Sequence, residues 1–246
     1  VSKEYKSIPS IQSLIDLELQ PKPRERSGKY NPSSFGYCYR NQFWNRKDEP
    51  QSNPPDERSL RVFQAGNLFH DFVQNIIRKQ DENNGIEVAI ENEDFKGRAD
   101  LVIGNEVMDI KSQHSRSFWW MEKKEFDIIK DKFGNWLQVM YYALELDKEF
   151  GRLVFISKDD LCIKEFIQPL NTFWKKHLST EITTLKNIWK ADKLPPAAPR
   201  CEYKFNKKNK EVKYWQCDYC NWRDLCQSIE KDNWPETKTL KSLTKK

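Results

Sequence analysis

The sequence predicts a mixed α/β fold in which helices cover a central sheet. Three observations predict it: apolar residues at helical spacing between residues 58 and 80, a switch to alternation from Ile86, and a return to helical spacing between 133 and 146 ahead of two strand-like runs. At 246 residues the chain can bury a full core, with room for one large domain or one domain and a small appendage.

Taken in order, Pro9 to Leu17 opens a short amphipathic helix, and Pro21-Lys22-Pro23 stops it because proline cannot continue the hydrogen-bond ladder. After a polar loop to Pro32, Ser33 or Ser34 caps a predicted helix through Cys38, Arg40, Phe43 and Trp44, which ends before the Pro-, Asn- and Asp-rich stretch from Asp48 to Asp56. A third helix spans roughly Arg58 to Gln80, with Phe63, Leu68, Phe69, Phe72, Val73, Ile76 and Ile77 at helical spacing and His70 beside that apolar face. Ile86, Val88 and Ile90 then alternate as a strand, and Arg98 to Ile103 and Glu106 to Ile110 form two more, joined by a turn at Gly104-Asn105. The aromatic stretch Ser117-Phe118-Trp119-Trp120 gives no clear period. A helix from Phe133 to Leu146, strands near Leu153 to Ile156 and Cys162 to Ile167, and a long helix from Thr172 to Trp189 complete the series before a linker at Pro195-Pro196. The resulting division is 1–57, an N-terminal helical region contributing Cys38; 58–194, the core; 195–240, a cysteine-bearing extension; and 241–246, a frayed tail.

Composition limits the functional classes. Hydrophobic residues are 37% and charged residues 32%, with 14 Phe, 9 Tyr and 9 Trp, so the chain is globular and not disordered. No apolar run approaches the roughly 18 to 20 residues of a membrane span, and Val1-Ser2-Lys3-Glu4-Tyr5 lacks a signal-peptide core, so a soluble, cytoplasmic protein with no membrane partner is expected. Residues 200–246 hold 12 basic and 7 acidic residues, which accounts for the whole net charge of +5. Such local basicity suits phosphate attraction and also serves ordinary solubility.

The chemistry-bearing pattern sits on the predicted hairpin. Gly97-Arg98-Ala99-Asp100 places one carboxylate on the first strand, and Asp109-Ile110-Lys111 brings a second carboxylate and a lysine on the next. Asp109 and Lys111, two apart on a strand, share a face while Ile110 points to the opposite core. Phosphodiester hydrolysis needs an attacking hydroxide and charge relief on the phosphate, and hard carboxylate oxygens can hold Mg²⁺ or Mn²⁺ ions that supply both. Lys111 would position the nucleophilic water or neutralise developing charge. An isolated Asp-x-Lys is more often a solvated strand end, so the pattern depends on its context. Glu91 and Glu93 are further metal neighbours to consider.

That context, a helix with His70, a strand ending Gly97-Arg98-Ala99-Asp100, a strand with Asp109-Ile110-Lys111, and a helix carrying Gln138-Val139-Met140-Tyr141-Tyr142, resembles the RecB-like branch of the PD-(D/E)XK nucleases. The resemblance implies a restriction-endonuclease-like core and a divalent-metal-dependent deoxyribonuclease, in particular an exonuclease acting on DNA ends or single strands. By position it implies metal binding by His70, Asp100, Asp109 and the Ile110 backbone carbonyl, catalysis by Lys111, and substrate positioning by Gln138 and Tyr142. Asp109 stands where the family more commonly has Glu. No Walker phosphate loop is present, so any helicase, repair, recombination or CRISPR-adaptation motor is a partner. The alternative is a catalytically silent DNA-binding or scaffold protein.

Of the six cysteines at 38, 162, 201, 217, 220 and 226, four crowd toward the C-terminus, which in an intracellular chain favours a metal site over disulfides. Cys217, Cys220 and Cys226 form a Cys-x-x-Cys followed by a third cysteine. In the RecB-like nucleases that include AddB and the CRISPR-adaptation nucleases, such a triplet joins one distant N-terminal cysteine around a 4Fe-4S cluster, and Cys38 has that position here. Soft thiolates suit zinc equally, which leaves structural Zn²⁺ on Cys201, Cys217, Cys220 and Cys226 as the alternative. Cys162 is expected to be a small buried apolar residue. Lys204, Lys207, Lys208, Lys210, Lys213, Tyr214, Trp215, Trp222 and Arg223 form either a channel that stacks bases and attracts backbone, or a solvated charge run over core aromatics.

Overall fold

The computed structural model describes residues 9–22, 27–206, 208 and 211–235, and the sequence expectations for Pro23, Lys207, Lys210 and residues 241–246 lie outside them. The first helix, α1 (Ile11–Glu18), is capped by the Ser10 side chain and tied to the third through an Asp16–Arg61 ion pair. The second, α2 (Tyr39–Lys47), begins one residue after Cys38. The expected helix from Ser33 is interrupted because a short 3-10 turn at Pro32–Ser34 gives way to Gly36 at φ +80°, a left-handed backbone that L-residues avoid, which leaves Cys38 at the N-cap of α2. The third, α3 (Glu57–Gln80), starts where the Asp56 carboxylate accepts from Ser59 N at 2.8 Å.

The apolar face expected of α3 is wider than the one the fold uses. Phe69, Val73 and Ile77, at i, i+4 and i+8, pack on the sheet, whereas Phe63, Leu68, Phe72 and Ile76 stay exposed. Spacing alone could not tell which stripe the sheet would cover.

Five strands follow in spatial order: β1 (Gly85–Glu91), β2 (Lys96–Ile103), β3 (Glu106–Gln113), β4 (Phe150–Ser157) and β5 (Ile163–Pro169). All pairs are antiparallel except β3 with β4, which is parallel, so the sheet is mixed as expected. The parallel pair needs a crossover. It is supplied by α4 (Ser115–Trp120), which resolves the unreadable aromatic stretch, then α5 (Ile128–Asp131) and α6 (Phe133–Glu145). Every residue from Trp136 to Ala143 is buried, so α6 lies between sheet and protein on both sides. One sheet face meets α6 and α7 (Thr172–Ala191), burying Val107, Leu153 and Phe155 with Trp136, Met140, Trp174 and Leu178. The other face carries Leu101, Ile110, Val154 and Ile156 against α3. The protein is therefore a mixed α/β sandwich with helices on both sides of a five-stranded sheet.

Cys162 corrects its expectation. It is exposed, in the turn just before β5, because that edge strand begins at Ile163 and alternates exposed and half-buried residues. Beyond α7 lie a hairpin of β6 (Tyr203–Asn206) and β7 (Glu211–Tyr214), then α8 (Trp215–Asp218) and α9 (Arg223–Glu230). These build a second core with α2: Phe43 and Trp44 bury against Cys217, Trp222, Cys226 and Trp234. The ends of the described chain thus interlock. A bidentate pair fastens them, Arg200 to the buried Glu181 of α7 at 2.7 Å through both nitrogens, and Glu181 also accepts from Gly36 N and the Tyr39 hydroxyl. Among the described residues no helix is long and apolar enough to cross a membrane.

Candidate active site

The β1–β2 ladder contains one irregularity, and the candidate residues gather there. Ile86 pairs with Leu101 and Val88 with Ala99, yet the pair between them, Glu87 opposite Asp100, makes no ladder contact. Glu87 adopts φ +53°, a strained conformation for a long side chain. The strands change face across this point: Ile86 and Leu101 pack toward α3, while Val88 and Ala99 pack toward α6. The β2–β3 ladder ends at the Leu101–Met108 pair, and its register continued by one step sets Asp100 opposite Asp109. Glu87, Asp100 and Asp109 therefore occupy corresponding positions on three neighbouring strands.

Hydrogen bonds hold this row. Asp100 Oδ2 accepts from Ile110 N at 2.7 Å and stands 3.5 Å from His70 Nδ1. Lys111 Nζ donates to Asp109 Oδ1 at 2.8 Å, as their shared strand face requires. Asp109 is 1% exposed and its other oxygen, Oδ2, is buried with no hydrogen-bond partner. Ile110 points its side chain into the α3-facing core, as expected from the alternation, while its main-chain N–H is the donor to Asp100. Gln74 Nε2 donates to Glu87 Oε1 at 2.7 Å and, more weakly, to the Asp100 carbonyl that the broken ladder leaves over.

The electrostatics follow from crowding. Burial, reinforced by the charge of Asp109, pushes the Asp100 carboxyl up from 3.8 to about 7. Burial, then the nearby Lys111 charge, lowers His70, so the imidazole is neutral at physiological pH and its lone pair is available to a metal. Burial alone would lower Lys111, but the charges of Asp109 and Asp100 outweigh it and keep the ammonium protonated. Burial and the same two carboxylates raise Tyr142.

The structure brings His70, Asp100, Asp109, Ile110 and Lys111 together, and Gln138 and Tyr142 approach from α6. Both are buried, both line the groove that contains His70 and Asp100, and the Tyr142 ring packs against Gly97 of β2 so closely that a Cβ there would meet Tyr142 Oη at 2.5 Å. Glu93 is exposed. Glu91 lies on the groove rim in ion pairs with Lys29 and Lys96. The residue that sequence reasoning passed over is Glu87, whose ligand oxygen lies within 4.8 Å of those of His70 and Asp100. The sequence reading made no statement about Glu87; only the hairpin register, which sets it opposite Asp100, brings it to the site.

The cysteines form a second constellation. Cys38, Cys217, Cys220 and Cys226 line one cavity with Tyr37, Arg40 and Trp44, while Cys201 does not line it. Arg40 Nη1 donates to Cys226 Sγ and Asn41 Nδ2 to Cys220 Sγ, each at 3.4 Å. Burial pushes the Cys226 thiol up to about 11 and raises Cys220. In the basic segment Trp222 is buried in the second core, whereas Trp215 is half exposed and meets the Tyr37 ring edge-on.

Fold and site together define a mixed α/β protein with a metal-competent histidine–carboxylate group next to a charged lysine. Among solved structures, the chain is similar in fold to the crystal structure of SSO0001, with a TM-score of 0.54 at 17% identity over 93% of this chain and 98% of that one. It also aligns, with TM-scores of 0.46 and 0.40, to an alkaline exonuclease (LHK-Exo) from Laribacter hongkongensis at 11% identity over 68% of this chain and 90% of that one, and to a phage related exonuclease from Haemophilus somnus 129PT at 15% identity over 52% and 70%. No protein-family model and no curated protein matches the sequence.

Proposed function

We propose that this protein is a divalent-metal-dependent nuclease of the RecB-like PD-(D/E)XK type that hydrolyses DNA phosphodiester bonds at ends or in single strands. The observation that carries the reading is the convergence of His70, Asp100, Asp109 and Lys111, which lie on three separate elements, at one break in the sheet. Residues 58–194 carry the chemistry, and the described parts of residues 1–57 and 195–240 brace it.

The donor set fits Mg²⁺ or Mn²⁺. It offers hard carboxylate oxygens, a neutral imidazole and a buried oxygen, Asp109 Oδ2, that lacks any partner. His70, Asp100, Asp109 and the Ile110 carbonyl would hold the ion. When bound, such an ion supplies hydroxide at neutral pH and relieves charge on the phosphate. The remaining work falls to the chain. Lys111, kept protonated by its carboxylates, neutralises negative charge developing on the phosphoryl oxygens. Gln138 and Tyr142 position the strand in the groove, and Lys29, Lys96 and Arg98, also in its lining, attract the phosphate backbone.

The test is cleavage of end-labelled linear and covalently closed circular DNA, single- and double-stranded, with Mg²⁺ or Mn²⁺. Loss of labelled linear DNA with circles intact is the expected exonuclease pattern. Asp109→Ala and Lys111→Ala variants that cut as fast as the parent protein would falsify the active-site assignment, and no cleavage by the parent would leave the silent DNA-binding reading.

For the cysteine cavity, the reading is a structural 4Fe-4S cluster on Cys38, Cys217, Cys220 and Cys226. Soft thiolates from both ends of the chain converge there, and Cys38 shares the lining where the zinc alternative would need Cys201. Anaerobically purified protein should be brown and contain iron and sulfide, both lost in Cys38→Ala; colourless protein with stoichiometric zinc refutes the cluster.

A further inference from the structure

The basic, aromatic segment around the last cysteines divides into a part that holds the fold and a part that faces solvent. Trp222 is buried with its indole N–H on the Glu49 carbonyl at 2.9 Å, and Arg223 pairs with Asp218 at 3.2 Å. Trp215, Lys204 and Lys213 stay exposed. We infer that this exposed part binds an unpaired DNA strand: Trp215, set against Tyr37, stacks on a nucleobase, and Lys204 with Lys213 holds the phosphates beside it. The inference rests on the nuclease reading for the role of that strand as substrate, but its geometry is independent of the metal ligands.

The β6–β7 register sets Lys204 opposite Lys213. Side chains so placed start about 5 Å apart, and like charges there repel. Among the described residues neither lysine makes an ion pair, so an anion between the two ammonium groups would relieve a repulsion that the chain itself does not. Strand β7 runs directly into α8, whose first residue is Trp215, so Lys213 and the indole stand two residues apart on one segment.

Trp215 is 45% exposed, yet its ring is held: Tyr37 meets it edge-on, with 5.6 Å between centroids and 81° between planes. Tyr37 is fixed in turn, its carbonyl accepting from Gln42 Nε2 at 3.1 Å and from Arg200 Nη1 at 3.3 Å. An aromatic surface already held in place and nearly half in water loses little freedom when a base stacks on it. The pair also lies toward the chemistry, since the Lys111 charge and the Tyr37 hydroxyl act on one another. Gly36, next to Tyr37, packs on the first turn of α6, where a Cβ would meet Gly134 Cα at 3.0 Å, and Glu202 at the foot of the hairpin pairs with Lys130 of α5 at 2.8 Å. The platform is thereby joined to the helix that carries Gln138 and Tyr142. A duplex keeps its bases stacked on one another along its length and offers Trp215 none, so the geometry selects an unpaired strand.

The experiment uses the full chain in EDTA, so that binding is read without cleavage. The probe is an oligothymidine strand with one 2-aminopurine flanked by abasic sites, bright when free, which the parent protein should quench on binding. Trp215→Leu, its fold checked by circular dichroism, should bind the strand about 5- to 100-fold more weakly and leave the probe bright at saturation, and Trp215→Phe should restore most of both. Affinity for a duplex with hairpin-capped ends should stay near that of the parent in both variants. Lys204→Gln with Lys213→Gln should keep the quench and reduce the slope of log affinity against log salt by about 1.4, the value for two phosphate contacts on a single strand. A quench that survives Trp215→Leu, an equal loss of single-strand and duplex affinity in that variant, or a parent that binds no single strand overturns the inference while leaving a nuclease that cleaves DNA intact. An unchanged salt slope removes the two lysines from it. A parent that quenches the probe but cuts no DNA with Mg²⁺ or Mn²⁺ upholds the platform and overturns the nuclease reading instead.

Discussion

Replacing Asp100 with asparagine should make the metal-free protein more stable. Asp100 lies mostly buried in the groove wall beside two other carboxylates, and its carboxyl moves from 3.8 to about 7, first through burial and then through the charge of Asp109. The folded state therefore holds this proton more tightly than the unfolded chain does. The stability it contributes is fully present below about pH 4 and is lost as pH rises through about 7, because keeping the ionised form buried costs free energy that the unfolded chain does not incur. At about 1.4 kcal/mol per pH unit the cost at pH 8 is on the order of 4 kcal/mol. Asparagine can keep an acceptor for Ile110 N but carries no charge, so Asp100→Asn should gain roughly 2–4 kcal/mol at pH 8 in chelator. That corresponds to a rise of roughly 5–10 °C in Tm for a chain of this size. Calorimetry in EDTA from pH 4 to 8 is the assay, with three expectations: a gain that grows with pH, a gain that shrinks when Mn²⁺ is added to the parent protein, and no DNA cleavage by the variant. A variant no more stable than its parent at pH 8, or equally more stable at pH 4, would show that carboxylate crowding is not what loads this site.

If the ammonium acts, as proposed, on charge that develops only in the transition state, Lys111→Met should lower kcat about 10²–10³-fold with little change in KM; an unchanged kcat in steady-state cleavage removes Lys111 from the chemistry. Arg200→Met leaves Glu181, 3% exposed at its side chain, without its bidentate partner and should cost about 3–5 kcal/mol in urea unfolding, whereas Arg200→Met with Glu181→Leu should recover most of it. If the double variant is as weak as the single one, the orphaned charge is not the cause. Gly134→Ala puts a Cβ 2.8 Å from the Phe35 carbonyl oxygen and should cost about 1–3 kcal/mol, read as a lower denaturation midpoint; an unchanged midpoint would mean that segment 35–37 shifts freely.

Much of this was legible in the sequence where one physical constraint dominates. The alternation around Asp109-Ile110-Lys111 fixed the faces of those side chains because the strand repeat is two, and the helix from Phe133 to Leu146 was legible because its apolar residues return to helical spacing, although its burial on all sides was not. The break at Gly36 was not, since a glycine in a polar loop does not announce that its φ will be positive and will delay α2 until after Cys38. Glu87 was missed because a left-handed residue inside a strand overturns the alternation that reads it. The width of the α3 face and the exposure of Cys162 depended on which stripe and which edge the sheet would present, and both are settled by tertiary packing. The small elements of the extension, β6 to α9, are too short for any period to register, and their order comes from the second core they share with α2.

The missing rung between Glu87 and Asp100 bears on how the sheet divides mechanically. Gln74, reaching over from α3, takes the hydrogen bond that the strand partner would have made. The hairpin is thus two short ribbons joined at a swivel, one half seated on α3 and the other on α6, and the acidic side chains sit on the swivel itself. A twist of the outer ribbon would act first at this joint, and with it would change the spacing between the carboxylates of Glu87 and Asp100.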